Sequence, residues 1–146
     1  MKFQVDIPFV HLLGFELEQF EDGQAQIRYA PLPEHRNAFG VTHGGALMTL
    51  LDVTMASAAR SVQPEMGLVT VEMKSSFMQT AHGVLLGKGR LMHRSRSMAF
   101  AEATVFDAAG RACAHGTGTF KYTRPLAEGA PPSEAGQQDA FGTPGD

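Results

Sequence analysis

The chain has 146 residues, 43% hydrophobic and 18% charged, with a formal net charge of −3 and a single cysteine. This is length enough for one domain with its own core, and one cysteine excludes an internal disulfide framework and fits a reducing compartment. No apolar run reaches the roughly 20 residues that span a bilayer, and the N-terminal stretch lacks the shape of a signal peptide, so a cytoplasmic protein with no membrane partner is expected.

In chain order, Phe9 to Leu13 is a short apolar piece of one or two helical turns that stops at Gly14. Phe15–Phe20 and Gln24–Tyr29 read as strands joined by Glu21-Asp22-Gly23, a hairpin turn in which Gly23 accepts positive φ. Pro31 to Thr42, with two prolines and a glycine, is a loop. Thr42 is placed to cap a helix from His43 to about Val62. Its stretch GGALMTLLDVTMASAA is apolar on nearly every side, the pattern of a buried helix.

Beyond Gln63-Pro64-Glu65-Met66-Gly67 the hydrophobic period changes to 2. Leu68–Met78, Val84–Met92, Met98–Phe106 and Arg111–Tyr122 are four strands, the last two joined by a turn at Asp107-Ala108-Ala109-Gly110. Two strands, one long helix and four more strands imply an α+β fold, a curved antiparallel sheet against one helix. Rows of small residues on alternate positions (Gly87 and Gly89; Ala99, Ala101 and Ala103; Ala112, Ala114, Gly116 and Gly118) let another backbone approach that sheet closely. Residues 1–123 carry 11 basic and 11 acidic side chains and form the expected domain. Residues 124–146, with four prolines, four glycines and all of the excess acid, are expected to be a disordered tail.

Chemistry gathers at the helix. Asp52 is its only acid, and a carboxylate among Leu47, Met48, Leu50, Leu51, Val53 and Met55 finds donors, stays protonated or faces a ligand cavity. His43-Gly44-Gly45 opens the helix, where free N–H groups favour negative charge. Between Met73 and Ala101 every charge is positive (Lys74, Lys88, Arg90, Arg94 and Arg96), a patch suited to a phosphorylated small ligand. A neutral body with only a local patch argues against nucleic acid. Cys113 lies in an alternating strand-like run and reads as a core residue, and the remaining histidines (His11, His35, His82, His93 and His115) show no ligand spacing, so no metal is expected.

Asn37-Ala-Phe-Gly40-Val-Thr-His43-Gly44-Gly45, with Asp52 nine residues after His43, resembles the signature of hotdog-fold acyl-CoA thioesterases of the phenylacetate-pathway, PaaI-like type. Val69-Thr70-Val71-Glu72-Met73, Phe77-Met78-Gln79-Thr80-Ala81, His93-Arg94-Ser95-Arg96-Ser97 and Asp107-Ala-Ala-Gly110 resemble later parts of that family, so the likeness covers roughly residues 10 to 122. The resemblance implies a hotdog fold, with the sheet wrapped around a central helix. It implies hydrolysis of an aromatic or short- to medium-chain acyl-CoA to the free acid and coenzyme A, with no cofactor beyond the substrate itself.

Residue by residue, it implies that the Gly44 N–H binds the thioester oxygen. Asn37 positions the loop and substrate or the attacking water, and His43 organises the helix entry. Asp52 serves as general base or nucleophile, and Thr70 holds the water or orients the carboxylate. Arg94, Arg96, Ser97 and His82 match stretches that contact coenzyme A. A homodimer with shared active sites, and pairs of dimers joined as a homotetramer, are the implied assembly. Two other readings stay open at this stage: a hotdog enoyl-CoA hydratase or dehydratase, whose usual histidine and acid patterns are absent, and a non-catalytic acyl-CoA-binding module.

Overall fold

The computed structural model describes residues 1–125. Helix α1 (Pro8–Leu13) starts with proline in its first turn and stops at Gly14, φ 74°. Strands β1 (Glu16–Glu21) and β2 (Gln24–Tyr29) form a hairpin whose turn holds Asp22 at φ 50° and Gly23 at φ 79°, the left-handed pair that a two-residue hairpin turn requires. After a single 3₁₀ turn (Pro33–His35) comes the long helix α2 (Gly44–Arg60). The strands β3 (Met66–Phe77), β4 (Leu85–Arg94), β5 (Met98–Phe106) and β6 (Ala112–Pro125) follow.

All six strands join one antiparallel sheet in the order β1-β2-β4-β5-β6-β3. Strand β3 therefore directly follows the helix in sequence yet lies at the far edge, paired with β6. Helix α2 lies against β2, β4, β5, β6 and β3 and buries Leu47, Leu50, Leu51, Thr54, Met55, Ala58 and Ala59 there. Fully burying one such leucine or methionine is worth about 1.5–3 kcal/mol, so packing rather than helix propensity holds the element.

The small-residue rows are the seat of that helix. Ala99, Ala101, Ala103 and Ala114 are buried under it. A Cβ on Gly87 would come within 2.5 Å of Thr54 Oγ1, and one on Gly89 within 3.0 Å of the Thr54 carbonyl oxygen. Cys113 is buried, as a core residue should be, and burial pushes its thiol pKa up.

The sequence reading needs correction in three places. The helix cap is His43, not Thr42: His43 Nδ1 accepts the Gly45 N–H at 2.8 Å, while Thr42 is buried and its N–H donates to the Ala81 carbonyl at 3.1 Å. Strand β6 runs to Pro125 rather than stopping at Tyr122, with Met66 paired to Pro125 across the sheet; the expected tail lies, from 126 onward, outside the described residues. Finally, α2 is not enclosed on all sides. Gly45 and Met48 are exposed and Asp52 and Val53 half-buried, leaving an open strip along the side nearest β3.

Candidate active site

Asp52 lies on that open strip, eight residues into α2 from Gly44. Its Oδ1 accepts a hydrogen bond from Thr70 Oγ1 at 2.7 Å, joining helix to edge strand across 18 residues of sequence. Oδ2 has no protein partner among the described residues. Burial raises the Asp52 pKa above the ordinary aspartate value, and the Thr70 hydrogen bond opposes this in part. Just beyond Thr70 the register slips: Thr70 pairs with Phe120 and Glu72 with Thr119, so Val71 is an extra, outward residue. Such a bulge re-aims neighbouring side chains and is common beside functional sites.

The helix entry is built from the preceding loop. The Asn37 carboxamide oxygen accepts from the Phe39 N–H at 2.9 Å and the Val41 N–H at 3.4 Å, which closes the turn that leads to the helix. His43 then caps the helix through Gly45. A Cβ on Gly45 would lie 3.0 Å from His43 Nδ1, so the second glycine leaves room for that cap. The Gly44 N–H has no partner among the described residues. A Cβ on Gly44 would stand 3.7 Å from the Phe77 ring, which places this donor beside β3 as well.

One chain does not bring Gly44 and Asp52 together on one carbonyl. Eight helical residues rise about 12 Å along the axis. A donor-to-oxygen contact, the C=O bond, the water's approach to the carbon and a base-to-water contact together span at most about 10 Å.

The suggested coenzyme A residues separate in the same way. Arg94, Arg96 and Ser97 lie at the β4–β5 hairpin, near the C-terminal end of α2, where the Arg94 side chain approaches the Tyr122 hydroxyl. That hydroxyl donates to the Ala59 carbonyl at 2.7 Å. His82 precedes β4 at its other end and contacts Thr80 at 3.1 Å. A ten-residue strand stands between them, about 33 Å of extended chain.

The hairpin group does share a row with Thr70: the register runs Thr70, Phe120, Ala99, Arg94 across three strand spacings, about 14 Å. The turn Arg94–Ser97 needs no glycine, since Ser95 has no positive φ and its Oγ accepts the Met98 N–H at 3.1 Å. The basic patch is thus dispersed, with Lys74 on the edge strand β3 and the other four in two groups. Arg90 is paired with Glu102 at 3.2 Å and Lys88 lies over the Phe106 ring at 5.4 Å, whereas Arg94 and Arg96 occupy the exposed turn.

Sequence reading passed over His35, whose Nδ1 meets the Tyr29 hydroxyl at 2.8 Å and whose carbonyl accepts the His43 N–H at 2.9 Å. The proline that opens its turn, Pro33, was the only local signal.

Comparison with known proteins bears on this arrangement. The family model described as the thioesterase superfamily matches residues 39–114, from the loop through α2 and the sheet to β6. The chain belongs to the thioesterase superfamily. Like other hotdog thioesterases, it wraps a curved antiparallel sheet around one long helix. A conserved protein of Pseudomonas aeruginosa is 32% identical, with a TM-score of 0.78 over 82% of this chain and 96% of that one. A Saccharolobus solfataricus protein carrying the name "Putative esterase SSO2140" is 27% identical over 77% of this chain and 81% of its own length. The PaaI protein of the E. coli phenylacetic acid degradation operon superposes at a TM-score of 0.74 over 86% of this chain and 89% of that one, at 16% identity, a likeness of fold alone. Among the described residues no helix is long and apolar enough to cross a membrane.

Proposed function

We propose that this thioesterase-superfamily chain hydrolyses an aromatic or short- to medium-chain acyl-CoA, and that the observation carrying this reading is the half-buried Asp52 with Thr70 as its single donor among the described residues. The free Oδ2 takes a proton from water, and the resulting hydroxide adds to the thioester carbonyl carbon. The Gly44 N–H, reinforced by the α2 dipole, holds the oxyanion. Collapse of the adduct breaks the C–S bond, and the proton on Asp52 passes to the departing thiolate. Free acid and coenzyme A are the products, and atoms and charge balance without a further reactant. Arg94, Arg96 and Ser97 are the handle for the coenzyme A phosphates, and His82 contributes at the opposite end of the strand.

The same reading makes the active unit a homodimer. Gly44 and Asp52 lie too far apart on one helix to serve one carbonyl, and the open strip between them is flanked by exposed apolar side chains: Met48 at 39%, Val71 at 47% and Phe77 at 52%. A second copy that covers these residues brings its own Asp52 to the first copy's Gly44, and pairs of such dimers make the tetramer. A reducing cytoplasm suits a single buried thiol.

The test is release of free thiol from a panel of acyl-CoA esters, compared by kcat/KM. Turnover that depends on Asp52 supports hydrolysis. Hydration of enoyl-CoA without thiol release, or tight acyl-CoA binding without any turnover, contradicts it.

A further inference from the structure

The direction of the Gly44 N–H is set by whatever holds residues 35–43, and a line of contacts reaches that segment from the core. Tyr29, on β2, is fully buried and packs edge-on against Phe15 with ring centroids 4.8 Å apart. Its hydroxyl meets His35 Nδ1 at 2.8 Å, and the Leu32 N–H donates to the same nitrogen at 3.1 Å. The Leu32 N–H can only donate, so Nδ1 is the acceptor of that bond, and the Tyr29 hydroxyl shares the same nitrogen. The His35 carbonyl then accepts the His43 N–H, and His43 Nδ1 accepts the Gly45 N–H. The N–H groups on either side of Gly44 are thereby spent inside the chain, and the one between them is left for a ligand. Burial pushes the Tyr29 hydroxyl up to about 12, which keeps it a neutral donor at working pH.

We infer that His35 and Tyr29 are positioning residues for the Gly44 donor: they anchor the loop to β2 so that the N–H is already aimed where the carbonyl oxygen becomes charged. This rests on the thioester-hydrolysis reading above. Pre-aimed donors are worth most in the transition state, where an error of a fraction of an ångström is costly. Loss of the anchor should therefore lower kcat and leave KM nearly unchanged. The loop itself survives, because the Asn37 turn, the Arg36–Thr42 bridge and the Thr42–Ala81 hydrogen bond remain.

The experiment compares wild type with His35→Leu, His35→Asn and Tyr29→Phe on one acyl-CoA, with thermal melts of each. His35→Leu should lose about 10- to 100-fold in kcat per folded protein, with KM within about twofold. His35→Asn should recover most of it, because the asparagine Oδ1 stands where Nδ1 stood and accepts the same two donors. Tyr29→Phe, which removes one of the two donors, should fall between. His35→Leu with wild-type kcat overturns the inference, and so does His35→Asn that is no better than His35→Leu. If His35→Leu fails to fold, Tyr29→Phe with wild-type kcat overturns it alone. A wild type with no turnover on any acyl-CoA would instead sink the hydrolysis reading, and the inference with it.

Discussion

Asp107 is buried and Asp52 half-buried, and the structure treats the two carboxyls in opposite ways. Asp107 closes the β5–β6 turn. Its Oδ1 accepts the Ala109 N–H at 3.0 Å and the Arg111 N–H at 2.9 Å, and its Oδ2 pairs with Arg111 Nε at 2.9 Å. The Arg111 backbone N–H foremost, with the Arg111 guanidinium and Ala109, holds this carboxyl below the ordinary aspartate range against the opposing effect of burial. Asp52 has one hydroxyl donor, and burial prevails, so its pKa rises. A carboxylate saturated by its own turn has nothing left for a ligand. One left short of donors in an open strip keeps a second oxygen without a partner among the described residues and a raised pKa, which on the proposed reading suit proton transfer.

Paired substitutions break the comparison most sharply. Asp52→Asn should lose at least about 100-fold in kcat, whereas Asp107→Asn should keep near-wild-type kcat. Stability should run the other way. A carboxyl whose folded pKa is raised contributes stability only at low pH, lost as pH rises through that value, so at neutral pH the Asp52 charge is a cost that asparagine relieves. Asp52→Asn should therefore melt at or above the wild-type temperature. The depressed Asp107 stabilises above its unfolded pKa and loses this as pH falls through the folded one, so Asp107→Asn should melt lower at neutral pH, with a difference that shrinks in acid.

The two carboxylates also differ in reach: the hydrogen-bond partners of Asp107 belong to its own turn, while on the proposed dimer reading Asp52 serves a second chain. Inactive Asn37→Ala and Asp52→Ala proteins, unfolded and refolded together, should regain about one quarter of wild-type activity, because half the dimers are mixed and each mixed dimer holds one intact site. No recovery in demonstrated mixed dimers would confine each site to one chain. A smaller effect concerns the single donor. Thr70→Val removes the one hydrogen bond that opposes burial, so the acid limb of kcat should move to higher pH, with the plateau reduced less than in Asp52→Asn. An unmoved limb would detach Thr70 from the base.

Much of this contrast was legible in sequence. The change of period from 3.6 to 2 marked α2 and the strands, and the Asp-Ala-Ala-Gly turn and the lone acid stood out by residue type. Strand order was not, because the position of β3 beside β6 is set by pairing between distant segments rather than by local period. His43 as cap was missed because Thr42 has the more usual capping side chain, yet Thr42 is drawn into the core contact with Ala81. Arg94 and His82 looked like one binding group in sequence, but an extended strand carries them to opposite ends of the sheet. The Tyr29–His35 contact crosses a loop whose path depends on Pro33 and on the depth at which β2 is buried, neither of which a residue pattern states.

The most direct measurement is a carbon-13 NMR titration of the Asp52 and Asp107 side-chain carboxyls in one sample, laid over the pH profile of kcat. Asp52 should titrate above the ordinary aspartate range and Asp107 below it, and the acid limb of kcat should follow Asp52. An Asp52 carboxyl that titrates at or below the ordinary value, or a kcat limb that ignores it, would contradict its role as the base.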